Sequence, residues 1–193
     1  MEYKINVQNV HLAEITESAE EVLVFGTPEH IPGAMEIGRN PQISSGKLYG
    51  DGKIAHSTSR KNAIQVTVNQ NKLPTKWRRY MEGVTVNTGV ESGTSKDEPN
   101  PFAMGWEVEK TGGEKELVWF LYGKADPIQE TVRQSEENIN YSTDNITITF
   151  LEHDDLGRFY TSIDTEDEEI TDEMVENFFK KVQTTDAISG PAI

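Results

Sequence analysis

The chain has no cysteine among its 193 residues, which excludes disulfides, thiolate metal sites and cysteine nucleophiles together. It also lacks any apolar run long enough to cross a bilayer. Its amino terminus, MEYKINVQNVHLAEITE, does not have the basic-then-apolar order of a secretion signal. We therefore expect a protein that is made and folded in a cytoplasm and stabilised by packing and oligomerisation.

Positive charge is scarce as well, with 18 basic residues against 33 acidic ones and a net charge of -15. Such a surface would be repelled by phosphates, so affinity for DNA is disfavoured, although DNA could pass close by without sticking. A hydrophobic content of 35% is typical of a globular chain. The length predicts one domain over residues 1–183, with a projecting loop at about 38–59 and a tail over 184–193.

Alternating apolar residues predict strands at residues 64–69, 145–150 and 102–108. Residues 117–122 are apolar on both sides, so they predict a central strand that forms a hairpin with 102–108. A second hairpin is predicted from 146 to 163, with its turn at 153–157. The fold is therefore expected to be mainly β.

Helical signals are few and short. Pro74 and Gly83 are placed as the start and end of one helix, on which Trp77, Tyr80 and Met81 share a face. Thr171 or Asp172 can cap a second helix near the carboxyl end. That helix would carry an apolar stripe that docks on a sheet, formed by Met174, Val175, Phe178, Phe179 and Val182.

Three patterns suggest ligand sites, and each has a simpler explanation. SGKLYGDGK, residues 45–53, resembles a phosphate loop, but Gly46 to Gly52 is one residue too long and Ile54 follows Lys53; a tight turn at residues 50–52 fits better. The acidic run from residue 164 lacks the glycine of a calcium loop, which favours a solvated connector. The basic and aromatic mixture at residues 76–80 is typical of single-strand binders, but a helix with buried aromatics explains it.

Catalytic signals are missing. The four histidines, His11, His30, His56 and His153, have no metal-ligand spacing, and no G-x-S-x-G elbow is present. We therefore predict no enzyme activity, no catalytic or metal-binding residue and no cofactor.

Three segments have no packing pattern, at residues 38–59, 89–101 and 129–143. Structureless segments of this length are usually functional or become ordered against partners. Within the first of them, Leu48 and Tyr49 are apolar residues in a polar stretch, and a neighbouring subunit is their best partner. The candidate inter-subunit contacts are Leu48, Tyr49, Gly50, Asp51, Gly52, Lys53 and Ile54.

The order of several short motifs resembles that of the major tail proteins, or tail-tube proteins, of long-tailed non-contractile phages of Gram-positive bacteria. The motifs are VQNVHLA at 7–13, GTPEHIPGAMEI at 26–37, LYGDG at 48–52, PFAMGW at 101–106, VWFLYGK at 118–124, ITITF at 146–150 and DLGR at 155–158. Each motif is short and structural, and together they span most of the chain.

This resemblance implies a β-sandwich or β-barrel of the tail-tube type with a flanking short helix and a C-terminal helix. It further implies self-association into hexameric rings stacked as the hollow tail of a virion. The implied partners are copies of the same chain and the tape-measure, distal-tail and tail-terminator proteins, with DNA passing through the lumen without specific binding.

Two alternatives stay open from the sequence. The same tube could belong to a phage-derived bacteriocin particle. A soluble carbohydrate-binding or enzymatic β-sandwich is the rival from another class, and it should expose an aromatic platform or converging carboxylates. Trp77, Trp106 and Trp119 each fit a core face instead.

Overall fold

A computed structural model describes residues 2–17, 22–50, 53–129 and 143–185. Among these described residues, strands make up 56% and helices 9%, so the predicted mainly-β class is confirmed. The strands are β1 (Lys4–Glu17), β2 (Leu23–Phe25), β3 (Glu29–His30), β4 (Ala34–Gly50), β5 (Lys53–Gln70), β6 (Thr85–Asn87), β7 (Val90–Ser92), β8 (Phe102–Lys110), β9 (Lys115–Ala125), β10 (Asp144–Phe150) and β11 (Tyr160–Asp164). The helices are α1 (Thr75–Glu82) and α2 (Asp172–Asn177).

One antiparallel sheet dominates the fold, in the order β2-β1-β8-β9-β10-β5-β4. β3 pairs with β1 and leads directly into β4, which is the last strand at the opposite edge. The two edges of the sheet therefore approach each other, and the sheet curls into an incompletely closed barrel. β6 and β7 form a separate small hairpin.

The inner face of the curled sheet holds the larger of two cores. Ile64, Val66 and Val68 are all buried there, which confirms the alternation seen in the sequence. Trp106 stacks on Phe120 with ring centroids 5.1 Å apart. Trp77 and Met81 of α1 join the same core, so the helix covers one end of the barrel.

The outer face carries a second core beneath the carboxyl-terminal segment. Thr171 caps α2 by accepting a hydrogen bond from the Met174 amide, as predicted. The helix ends at Asn177, earlier than the apolar stripe suggested, and Phe178 and Val182 reach the sheet from beyond its last turn. The indole Nε1 of Trp119 donates to the Phe178 carbonyl oxygen at 2.9 Å.

The predicted hairpin between residues 146 and 163 is wrong. β10 and β11 run in the same direction and both pair with β9, at residues 123–125 and 116–120 respectively. They form one interrupted strand along a single edge of β9, and the intervening residues 151–159 leave that edge and return to it. The turn-forming residues at 153–157 thus belong to a loop that connects β10 to β11.

The register defines two ends of the barrel. The β8–β9 end carries the turn between those strands, together with Lys4 and Asp164. The α1 end carries Phe102, Ala125 and Gln70, with α1 following β5 directly.

Helix α1 matches its predicted limits, with Pro74 at the N-cap and Gly83 at the C-cap. Gly83 is in the left-handed conformation with φ of 67°, and a Cβ there would overlap the Glu98 carbonyl oxygen. Backbone atoms cannot move aside as a flexible side chain would.

We expect Gly83→Ala to lower the free energy of unfolding by about 2–4 kcal/mol, because the clash adds to the ~1 kcal/mol cost of a positive φ. Urea denaturation measures this directly. Gly89→Ala is the matched control, since Gly89 has φ of 82° and no heavy atom lies within 4 Å of the position that its methyl group would take. The control should lose only about 1 kcal/mol. Equal losses at the two sites would contradict the steric explanation.

Candidate functional site

The stretch SGKLYGDGK lies at the tip of a long hairpin formed by β4 and β5. Pairing runs continuously from Ala34 with Gln70 to Gly50 with Lys53, with three register shifts. The described residues of the segment at 38–59 therefore form paired β-strands and are not structureless. A phosphate loop would lead from a strand into a helix, whereas this segment joins two strands, so the phosphate alternative is wrong.

Most of this hairpin has no third strand beside it. β5 pairs with β10 only from Ile64 to Gln70, and from Lys53 to Ala63 its one partner among the described residues is β4. At about 3.3 Å per residue this free ribbon is about 35 Å long. A two-stranded ribbon is marginal in water by itself, and both of its edges offer unpaired backbone groups.

The ribbon also exposes large apolar side chains. Ile43, Leu48 and Tyr49 are each 65% exposed, and Ile54 is 52% exposed. Tyr49 and Ile54 are directly opposed across the hairpin, so their side chains share a face, while Leu48 points to the other one. The barrel of the same chain could cover only one face of the ribbon, so the apolar side chains on the other face would stay exposed.

The charge of the ribbon is opposite to that of the rest of the chain. Residues 42–63, which span the free ribbon, contain four basic residues and one acidic residue, Asp51, which gives a net charge of +3. The remaining residues then carry -15 - 3 = -18. The basic residues are Lys47, Lys53, Arg60 and Lys61.

The fold brings the candidate contact residues together at the tip. Leu48, Tyr49 and Gly50 end β4, and Lys53 and Ile54 begin β5. Asp51 and Gly52 lie outside the described residues, as does most of the unpatterned segment at 129–143. The third such segment, at 89–101, contains β7 and the connection to β8.

Two histidines that are distant in sequence lie close together in the fold. Pairing of β1 with β3 sets His11 opposite His30, with ring centroids 5.2 Å apart. His11 also stacks on Phe179 at 4.6 Å and donates from Nδ1 to the Asn9 carbonyl oxygen at 2.7 Å. No sequence pattern indicated this pairing, because β3 has only two residues. Within the described ranges, no group of three or more acidic or histidine side chains is placed to hold a metal ion.

Lowering the pH from 7 to 5 should reduce the free energy of unfolding through His11. Burial lowers the pKa of His11, with a smaller contribution from His30, although the hydrogen bond to Asn9 and the charge of Glu107 act to raise it. The unfolded chain therefore takes up a proton near pH ~6.5, before the folded chain does, and above that pH the residue contributes nothing. Urea denaturation across this range should show a shallower pH dependence in His11→Phe, which keeps the ring stack; an unchanged slope would contradict this assignment.

Charged residues of the acidic run and of the basic segment at 76–80 form ion pairs with distant parts of the chain. Lys110, only 6% exposed, bonds through Nζ to Asp164 at 2.5 Å and Glu166 at 2.8 Å. Burial lowers the pKa of Lys110, but these two hydrogen bonds outweigh that effect and raise it. The acidic run is therefore more than a solvated connector at its start. Arg78 and Arg79 of α1 both bind Glu91, at 3.0 and 2.9 Å.

Glu107 is the most deeply buried carboxylate among the described residues, at 3% exposed. It accepts hydrogen bonds from Gln8 at 2.8 Å and Asn9 at 2.7 Å, and Lys115 lies 2.9 Å away. Burial raises the pKa of Glu107, yet the hydrogen bonds from Asn9, Lys115 and Gln8 together lower it. A carboxylate held ionised and fully bonded is suited to structure rather than to proton transfer.

In the part of the chain that the structure describes, neither helix has the length and apolar character needed to span a bilayer. No protein-family model matches the chain, and a search of curated proteins gives no significant match.

Proposed function

We propose that this protein is a structural protein whose copies assemble, through the β4–β5 hairpin, into stacked hexameric rings that form a phage tail tube. The observation that carries the proposal is the free ribbon, which is long, apolar on both faces at its tip and opposite in charge to the barrel. The resemblance of the ordered motifs to major tail proteins supports the same conclusion and supplies the ring and tube geometry.

Assembly would remove the two features that destabilise an isolated ribbon, its exposed apolar side chains and its unpaired strand edges. A neighbouring copy can cover the exposed Leu48, Tyr49 and Ile54 side chains and pair with the free strand edges. The charge difference between ribbon and barrel favours contact between copies and disfavours contact of like regions. A ribbon that served only as a turn would need neither its length nor its apolar tip.

The tube would act as the conduit for DNA in the tail of a virion. Residues outside the ribbon carry a net charge of -18, the difference between -15 for the chain and +3 for the ribbon. An acidic lumen would repel the DNA backbone and keep it from sticking. The tape-measure protein inside the tube and the distal-tail and terminator proteins at its two ends are the proposed partners. A tube of a phage-derived bacteriocin particle would use the same contacts.

The rival function, a soluble carbohydrate-binding or enzymatic β-sandwich, has less support. Trp77, Trp106 and Trp119 are 1%, 5% and 0% exposed, so none of the three tryptophans can form a sugar-binding platform. Glu107, the buried carboxylate, is already engaged by Gln8, Asn9 and Lys115.

Sedimentation velocity at increasing protein concentration tests the proposal. We expect a concentration-dependent shift from monomer to large species, and a parallel screen for glycan binding should show no specific ligand. Monomers at every protein and salt concentration, together with specific glycan binding, would favour the rival. Slow assembly at low concentration would not, because mass action opposes association there.

A further inference from the structure

A cleft at the α1 end of the barrel has features complementary to the hairpin tip. Its volume is about 430 Å³, within the range of ~300–1,000 Å³ usual for binding pockets. Its apolar lining comes from Met81, Val84, Pro99, Ala125 and Pro127. Its acidic lining comes from Glu82, Glu91, Asp97 and Asp126.

The described residues that line this cleft include four carboxylates and no basic side chain. Arg78 and Arg79 neutralise part of this charge by binding Glu91, and Arg78 also lies 4.0 Å from Glu82. Asp97 accepts hydrogen bonds from the amide and the hydroxyl of Thr94, both at 2.7 Å, and these lower the pKa of Asp97. Asp126 is exposed at the rim. The cleft therefore suits an apolar group flanked by positive charges.

We propose that the hairpin tip of one copy docks in this cleft of the next copy. The inference rests on the proposed self-assembly and identifies the surface that receives the hairpin. Leu48, Tyr49 and Ile54 supply the apolar contact, and Lys47 and Lys53 lie beside them to meet the carboxylates.

The positions of tip and cleft give the contact a direction. From Gln70 to Ile64, β5 passes from the level of Asp144 to that of Phe150 on β10, which leads away from the α1 end. The ribbon therefore extends toward the β8–β9 end, while the cleft lies at the α1 end. Contact between opposite ends of successive copies is head-to-tail, and such a contact builds an open stack when its rotation does not close into a ring.

A second groove is less suitable as the receiving surface. It lies between β1 and β4 and is lined by Ile5, Met35 and Trp106, together with two basic and two acidic side chains, those of Lys4, Arg39, Glu36 and Glu116. Lys4 bonds to Glu116, so this groove lacks the excess of carboxylates that would attract the lysines of the tip. The groove also contains Lys4 and Glu116, which lie at the β8–β9 end. A tip that extends past this end faces the α1 end of the next copy rather than its groove.

Cysteine cross-linking of the full-length chain tests the contact, and the absence of native cysteines confines disulfides to the introduced positions. The single variants Tyr49→Cys and Asp126→Cys measure the cross-linking between identical positions. We expect the double variant Tyr49→Cys, Asp126→Cys to form a ladder of covalent dimers, trimers and larger species on oxidation, since each copy has one tip and one cleft. The matched control is Tyr49→Cys, Ile5→Cys, which places the second cysteine at the other groove and should give no ladder. A ladder from the control pair but not from the test pair would overturn the inference.

Charge reversal gives an independent measurement that does not depend on disulfide geometry. Asp126→Lys should raise the concentration needed for assembly about fivefold, and adding Lys53→Glu should restore most of the loss. Glu168→Lys changes the net charge equally on an exposed segment and should leave that concentration unchanged. If Asp126→Lys assembles like Glu168→Lys while the wild type forms tubes, the cleft assignment fails and the proposed function stands. If the wild type never assembles, both fail.

Discussion

A variant in which residues 45–57 are replaced by an Asn-Gly turn is expected to fold normally and to remain monomeric at every concentration. The removed residues belong to the part of the hairpin that pairs with no strand outside β4 and β5 among the described residues. Ile64, Val66 and Val68, which the core requires, are retained with their β10 partners. The inserted Asn-Gly pair and the retained Thr58 and Ser59 form a four-residue connection between Ser44 and its partner Arg60, a length common in hairpins.

Thermal unfolding and sedimentation velocity together measure this outcome. The midpoint should stay within about 3 °C of the wild type, while the large species disappear. The triple variant Leu48→Ser, Tyr49→Ser, Ile54→Ser is the control that keeps the chain length, and it should also lose assembly and keep the fold. A collapsed thermal transition in either variant would mean that the hairpin tip is a folding element instead.

Trp119→Ala should have the opposite effect, a loss of folding stability of about 3–5 kcal/mol. The side chain is fully buried, packs against Phe179 with ring centroids 5.7 Å apart and holds the Phe178 carbonyl through its indole nitrogen. Its removal leaves a cavity between β9 and the carboxyl-terminal segment and one buried carbonyl oxygen without its closest donor. A loss of this size is a large fraction of the total stability of a typical domain.

Denaturant unfolding of the tryptophan variants supplies the measurement. Trp119→Phe, the matched control, keeps much of the volume and loses the hydrogen bond, so about 1–2 kcal/mol should be lost. A loss below about 1 kcal/mol for Trp119→Ala would show that α2 and its following residues are not anchored here. Paired with the hairpin deletion, this variant separates residues that fold the barrel from residues that assemble it.

The sequence predicted strands best where one face is buried and the other is not. Residues 64–69 alternate because Ile64, Val66 and Val68 face the core. Residues Lys53 to Ala63 also form a β-strand, but both faces of the ribbon are exposed. Its sequence therefore has no need to alternate apolar and polar residues, and it does not do so. Because the apolar alternation was missing, the sequence did not predict these strands. It predicted instead a segment that becomes ordered against a partner.

Local sequence patterns did not predict which distant segments are in contact. β10 and β11 share one edge of β9, and turn residues between two strands resemble a hairpin whether or not those strands pair. His11 meets His30 only through a two-residue strand. The cleft at the α1 end combines residues from α1, the loop before β8 and the end of β9. Because these segments are distant in sequence, no local sequence pattern predicts the cleft.

Negative-stain electron microscopy of the purified wild-type protein, at high concentration and moderate salt, tests the central claim most directly. Self-assembly through the hairpin predicts rings, and tubes built from stacked rings, that are absent from the deletion variant under the same conditions. Fields of isolated monomers at every concentration and salt level, or tubes formed equally well by the deletion variant, would contradict it.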